Sequence, residues 1–348
     1  MSTLEIKVTA RISVDISDQR PPIMLQNSNA KTGPVPIPHA HKVHPTNPGG
    51  ENATLTFIGT ATTLVEWRGL RIMTDPNFLH AGDHVHLGPG VTAKRLTNPS
   101  MPINQLPPIH LILLSHYHED HFDKLVEDKL RRDLPIISTP HAAHHLTTAQ
   151  YKDEPFTAVT ALDFWEAADV SAGDAKLRVI GMPGKHVPTG LTETVNELVG
   201  AVPPINGWML ELYGDSGKPY RIYISGDTLM VDELKTIPEK FPHVDLMLVH
   251  LGKRVIVSCR KMPFNPEGIQ GGTTIPAPKI PLLMVTMDAE QGIQLVHLIN
   301  PDVTIPIHYD DYDVFKSPLT DFQELVTKVG PDQRVIYLNR GDQYSFKV

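Results

Sequence analysis

His116-Tyr117-His118-Glu119-Asp120-His121 places four side chains able to ligate a metal within six residues. It directly follows an apolar run, Ile109-His110-Leu111-Ile112-Leu113-Leu114, which reads as a buried strand delivering a rigid loop. Neutral imidazole suits zinc, and carboxylate oxygen widens the choice to other divalent ions, so the hexad is suited to holding a catalytic metal. His116 and His118 sit two apart and Asp120-His121 follow as a second pair, so one loop could serve two ions. With 18 histidines in the chain, some clustering on a polar surface is the competing explanation, and ligands elsewhere decide between the two.

Working outward, further candidates stand at predicted strand ends. Val179-Ile180-Gly181-Met182-Pro183-Gly184-Lys185-His186 puts a histidine in a Gly/Pro-rich turn after a β-run. Tyr223-Ile224-Ser225-Gly226-Asp227-Thr228 ends another in an aspartate, and Thr304-Ile305-Pro306-Ile307-His308 a third in a histidine. Loops at strand ends are common places for functional groups, because a rigid sheet fixes them while leaving them accessible. Upstream, Ala53 to Trp67 reads as two β-runs flanking a small-residue turn, and Arg71-Ile72-Met73-Thr74-Asp75-Pro76 as a third strand, together a β-meander ending in a carboxylate.

The remaining pattern alternates strand and helix. Helices are expected at Phe122 to Leu130, His141 to Gln150, Val231 to Ile237 and Ala289 to Ile299. Strands are expected at Leu134 to Ser138, Lys176 to Ile180, Gly207 to Tyr213, Tyr220 to Ser225, Leu246 to His250, Val303 to Pro306 and Arg334 to Leu338. Two stacked β/α halves follow from this order. Residues 1–52 read as an N-terminal extension, with one possible edge strand at Leu4 to Ile12 and then a Pro-rich segment carrying His39, His41 and His44, read as a solvated linker. Residues 53–348 form the main domain, interrupted by a Pro/Gly-rich loop at about 258–281.

Asp75 in Thr-Asp-Pro, the complete hexad, His186, Asp227 in Ser-Gly-Asp-Thr and His308 occur in an order and spacing that resemble the metallo-β-lactamase fold superfamily, over about residues 53 to 340. Gly59-Thr-Ala-Thr-Thr-Leu-Val-Glu, Thr74-Asp-Pro-Asn-Phe and Leu106-Pro-Pro-Ile-His-Leu-Ile-Leu-Leu-Ser-His look most like the branch containing L-ascorbate-6-phosphate lactonase and N-acyl-phosphatidylethanolamine-hydrolysing phospholipase D. The resemblance implies an α/β fold, a four-layer αββα sandwich with two divalent ions at one edge, zinc first and manganese or iron as alternatives. It assigns His116, His118 and His186 to one metal, Asp120, His121 and His308 to the other, and Asp227 as the bridge. Asp75 would orient an imidazole, which metal sites generally need; the alternative is a turn-forming Asp-Pro.

The expected chemistry is hydrolysis by a metal-bridging hydroxide, with Asp120 moving a proton to the leaving group. Opening a cyclic ester or amide of a small molecule is the leading expectation and phospholipase D-like phosphodiester hydrolysis the alternative. Nucleic-acid processing and a non-catalytic metal-binding role rank lower. Tyr309, beside His308, and His250, at another strand end, are candidate substrate contacts, with packing as the competing role. Met262 and Phe264 in the 258–281 loop are candidate apolar contacts at the substrate entrance.

Composition sets the outer bounds. A hydrophobic fraction of 41% fills a sizeable core, and a net charge of −8 disfavours a nucleic-acid partner. The single cysteine, Cys259, excludes an intramolecular disulfide and a thiolate zinc cluster and fits a reducing compartment. No 18-residue apolar run is present and Met1 to Gln19 lacks the features of a signal peptide, so a cytoplasmic enzyme without a membrane span is expected. A homodimer is the default assembly.

Overall fold

The computed structural model describes residues 5–24, 38–87, 92–150, 154–187, 202–252, 255–256, 283–284, 286–329 and 334–348. Met262, Phe264 and the rest of the 258–281 loop lie outside them.

In chain order the strands are β1 (Lys7–Ser13), β2 (His41–Lys42), β3 (Ala53–Gly59), β4 (Thr62–Trp67), β5 (Leu70–Thr74), β6 (His84–His86), β7 (Thr92–Lys94), β8 (Leu111–Leu114), β9 (Ile136–Ser138) and β10 (Val159–Ala161). They continue with β11 (Glu166–Ala172), β12 (Ala175–Met182), β13 (Gly207–Tyr213), β14 (Pro219–Ile224), β15 (Leu246–His250), β16 (Val255–Ile256), β17 (Leu283–Met284), β18 (Val303–Ile307) and β19 (Gln343–Phe346). Two large sheets result. One has the order β10-β9-β8-β5-β4-β3-β19-β2 and the other β1-β11-β12-β13-β14-β15-β18.

The sheets face each other across one apolar layer. Leu55, Phe57, Val65 and Trp67 from the first meet Val170, Val179, Leu210, Leu246 and Ile305 from the second, all buried. Helices α1 (Lys124–Lys129) and α2 (Pro140–Thr147) cover the outer face of the first sheet, burying Val126, Ala142 and Leu146. Helices α3 (Thr236–Lys240), α4 (Ala289–Ile299) and α5 (Leu319–Val329) cover the second, burying Ile237, Ile293, Val296 and Phe322. This is an αββα sandwich.

Local chemistry sets the helix ends. Asp123, Thr139 and Asp288 accept backbone N–H bonds as N-caps, and Pro140 begins α2, where a missing N–H costs nothing. Asn300 closes α4 in the left-handed region at φ 49°. The expected helix at Val231 to Ile237 is instead a 3₁₀ turn, Asp232–Lys235, running into α3, where Pro238 interrupts the backbone ladder.

The expected strand at Arg334 to Leu338 is not formed either. It makes one parallel bridge, Val335 to Thr304, while Ile336 and Leu338 plug the core. The strand of this region is β19, which pairs with β3 and β2. The Pro-rich stretch also carries order: β2 pairs with β19, and His39 Nδ1 lies 3.1 Å from the Arg340 carbonyl.

Strand direction decides where the functional loops fall. β5 and β8 run parallel, as do β14, β15 and β18. β12 is antiparallel to β13, itself antiparallel to β14, so β12 runs with β14. The C-terminal ends of these six strands meet at one edge of the sandwich.

Candidate metal centre

Every proposed ligand is carried on a loop leaving one of those C-terminal ends. Asp75 follows β5, the hexad follows β8 after Ser115, His186 follows β12, Asp227 follows β14 and His308 follows β18. All are buried; His118, at 8% exposure, is the most open. The backbone is bent to aim them: Thr60, Asp75 and His308 adopt φ of 53°, 33° and 61°. Non-glycine residues there are strained, and such strain collects at functional sites. Gly252 makes room for His308, because a Cβ at that position would lie 2.7 Å from the His308 carbonyl oxygen.

The side chains form two adjoining groups. Donor atoms of His116, His118 and His186 lie within 4.8 Å of one another, as do those of Asp120, His121, Asp227 and His308. Ring centroids of His116 stand 4.2 Å from His121, 5.0 Å from His186 and 5.5 Å from His118. Asp120 lies between the groups, with Oδ1 3.0 Å from His118 Nδ1 and Oδ2 3.7 Å from His308 Nε2.

The far side of three of the imidazoles is already engaged. Asp75 Oδ2 lies 3.0 Å from His121 Nδ1, while Ser115 donates its N–H and hydroxyl to the same carboxylate at 2.7 and 2.8 Å. His116 Nδ1 faces the Ser115 hydroxyl at 2.9 Å, and His186 Nδ1 the Asp227 carbonyl at 2.8 Å. These contacts turn the Nε2 atoms inward. Asp227 Oδ2 accepts from the Thr286 hydroxyl at 3.0 Å, leaving Oδ1 inward as well.

What faces inward is left unmet. His116 Nε2, His121 Nε2, Asp227 Oδ1 and both ring nitrogens of His308 are buried without a hydrogen-bond partner. His121 Nε2 and His308 Nδ1 each approach Asp227 at 3.3 Å, without hydrogen-bond directionality. Buried polar atoms are almost always satisfied, and several orphans converging on one point are what a bound cation would resolve.

The electrostatics agree. Burial, aided by the neighbouring histidines, pushes His116 well below the usual histidine range and keeps it a neutral donor. Burial also opposes charge on His121, but Asp227, Asp75 and Asp120 outweigh it and raise its pKa well above normal. Burial alone would raise Asp227; His308 and His121 instead hold it well below the carboxylate range. The second group thus favours positive charge at its centre. Three imidazoles beside a mixed imidazole and carboxylate set fit zinc, manganese or iron(II).

The other expected contacts divide. His250 is fully buried at the end of β15, its Nδ1 3.2 Å from the Ser225 hydroxyl and its ring 6.1 Å from His121. Tyr309 donates its hydroxyl to the Leu338 carbonyl at 3.4 Å and its ring joins the core under α4 and α5, the packing role weighed against a substrate contact in the sequence. Sequence reading missed Ser115, Thr286 and Asn77, whose Nδ2 donates to the Glu119 carbonyl at 3.1 Å. Only the adjacency of Ser115 to the hexad and of Asn77 to Asp75 hinted at them.

Comparison with known proteins places this geometry in a family. Residues 71–309 match the family described as Beta-lactamase superfamily domain. The chain is 22% identical over 303 residues to a UPF0173 metal-dependent hydrolase of Archaeoglobus fulgidus, covering 84% of this chain and 98% of that protein. It is 29% identical over 189 residues to the mitochondrial N-acyl-phosphatidylethanolamine-hydrolyzing phospholipase D of Saccharomyces cerevisiae, which spans 53% of this chain but only 36% of that enzyme. Among solved structures, an isothiocyanate hydrolase from Delia radicum gut bacteria shares the fold, with a TM-score of 0.63 at 16% identity over 85% of this chain and 100% of that one. A sandwich with its donor-bearing loops at one edge and a family match across most of its length identify the chain as a member of the beta-lactamase superfamily.

Proposed function

We propose that the two groups at the sandwich edge hold two divalent cations and that the enzyme opens a cyclic ester or amide of a small molecule. The observation carrying the metal reading is the convergence of buried, unpartnered donor atoms of His116, His121, Asp227 and His308 from three separate loops. His116, His118 and His186 would hold one cation, Asp120, His121 and His308 the other, and Asp227 would touch both. When bound, such cations supply Lewis acidity, polarising a substrate oxygen and making water acidic enough to act as nucleophile near neutral pH.

The chain's own groups supply the rest. Asp75 and Ser115 hold His121 and His116 in one orientation, so the centre needs no rearrangement in the reaction. Asp120, between the groups, is placed to move a proton from the nucleophile to the leaving group.

A neutral carbonyl substrate is favoured over an anionic one by the placement of cationic side chains. Lys185, next to His186, pairs with Glu233 at 2.9 Å, and Arg95 lies fully buried near Asp311. Phosphodiester hydrolysis is the second reading, supported by the similarity to the yeast phospholipase D. Zinc-, manganese- and iron-loaded protein assayed against lactones, lactams and bis-aryl phosphodiesters separates the two. Turnover of lactones or lactams above phosphodiesters is expected; the reverse preference would replace the first reading with the second, and no turnover in any metal form would sink both.

A further inference from the structure

Arg95 has no direct contact with the donor groups, yet it stands where the loops that carry them meet. It follows β7 and is 0% exposed. Nε donates to the Thr97 carbonyl at 3.0 Å, anchoring the side chain to its own loop. Nη1 donates to Asn77 Oδ1, and Asn77 in turn donates to the Glu119 carbonyl inside the hexad. Nη2 lies 3.4 Å from Asp311 Oδ1. Asp311 Oδ2 accepts the Thr60 N–H at 3.0 Å, and the Thr60 carbonyl accepts the His308 N–H at 3.0 Å.

One guanidinium therefore joins two polar branches, by a hydrogen bond to Asn77 and by an ion pair without hydrogen-bond geometry to Asp311, one branch ending in the hexad and the other in His308. We propose that Arg95 is a positioning residue that fixes the separation between these two donor loops, and so sets the affinity of the Asp120, His121, Asp227 and His308 group. The inference rests on the metal reading above.

The chemistry explains the residue type. A buried charge is tolerated only when paired and hydrogen-bonded, and Arg95 has a carboxylate, an amide oxygen, a carbonyl and the Tyr312 ring, whose centroid lies 5.4 Å from Cζ. The planar fork addresses partners on two sides at once, which a lysine ammonium cannot reproduce. Asp311 retains a second cation, Arg340, at 3.0 Å. Removing Arg95 would thus leave the Asp311 branch charged and paired while cutting the charged link to Asn77, which keeps its bonds to the Glu119 carbonyl and, at 2.8 Å, to the neighbouring Tyr312 hydroxyl. Of the His116, His118 and His186 group, His186 comes from β12 and lies off that path, while the Asp120, His121, Asp227 and His308 group draws on both of its ends, the hexad and His308.

The test uses the full chain, stripped with a chelator and titrated with Co²⁺ by calorimetry and visible absorption. Wild type, Arg95→Met, Arg95→Lys, His308→Ala and Ile299→Ala are compared, the last as a buried substitution remote from the centre that controls for lost stability. Wild type is expected to bind cobalt in two classes, one of which His308→Ala removes. Arg95→Met should weaken that same class about 10–100-fold and alter its absorption bands, with a clearly smaller effect on the other class, which shares only the hexad side of the path. Arg95→Lys should fall between wild type and Arg95→Met, and decides the matter if the methionine variant does not fold. Ile299→Ala should leave both classes intact. Equal weakening of both classes in the Arg95 variants, or affinities within a factor of two of wild type, overturns the inference. A wild-type chain that takes up no metal removes the metal reading and this inference together.

Discussion

The parallel strands β14, β15 and β18 carry a group of histidines and aspartates at each end, and the two ends behave differently. At the C-terminal end Asp227, His250 and His308 are fully buried. At the N-terminal end His243, Asp245 and Asp302 also bring donors within 4.8 Å of one another, but their side chains are 57%, 20% and 46% exposed. There His243 Nε2 meets Asp245 at 3.1 Å and Asp302 at 3.5 Å, and Asp245 accepts the Arg221 N–H at 2.7 Å. Residue type is shared by the two ends. What separates them is that one group is buried with unmet bonding capacity, while the other satisfies itself or faces water.

Four substitutions test this contrast. Asp227→Ala removes the carboxylate proposed to touch both cations, and should take turnover below detection while lowering bound metal, measured by elemental analysis. Unchanged metal content would mean that Asp227 does not join the groups. Asp120→Asn keeps the shape but not the carboxylate proposed to carry the proton; turnover should fall roughly 10²–10⁴-fold. Metal at the His116, His118 and His186 group should be retained, and undiminished turnover would remove Asp120 from the proton path.

Asp75→Asn leaves His121 with a weaker orienting partner and should cost about 10–100-fold in metal affinity without loss of the fold. Titration of the stripped protein reads that loss directly. At the opposite end, His243→Ala should change neither metal affinity nor turnover, and should move the melting temperature by the small amount expected of an exposed ion pair, within about 1 kcal/mol. A lost metal equivalent in that variant would abolish the distinction between the two ends.

The positions of the donor loops were legible because each follows a long apolar β-run, and a run of β-branched and aliphatic residues in a buried parallel sheet leaves little choice about where its end lies. The hexad, His186, Asp227 and His308 stand out for that reason, and the structure brings them together. β10 and β11 were not legible. Glu166–Ala172 reads Glu-Ala-Ala-Asp-Val-Ser-Ala, and its outward Asp169 is explained only by Arg178 on the neighbouring strand, 2.7 Å away. Arg95 was hidden for a similar reason: nothing local marks an arginine for complete burial when its partners come from residues 77 and 311. His250 was visible as a strand end, but its fully buried place beside His121 depends on the two sheets facing each other, since His121 follows β8 of the opposite sheet.

The pairing of β19 with β3 has a consequence in time. Gln343 and Thr56 bond across a separation of 287 residues. At roughly 5–20 residues per second of synthesis, β3 waits about 15–60 s for that partner. Until then the sheet is held by the local β3, β4 and β5 meander and by β8, with one side of β3 presenting unpaired backbone groups. β3 is also where the turn through Thr60 toward His308 begins. The nascent chain therefore passes through a period in which an open apolar edge and an unfinished donor cluster coexist, a vulnerable interval for aggregation that ends when β19 docks.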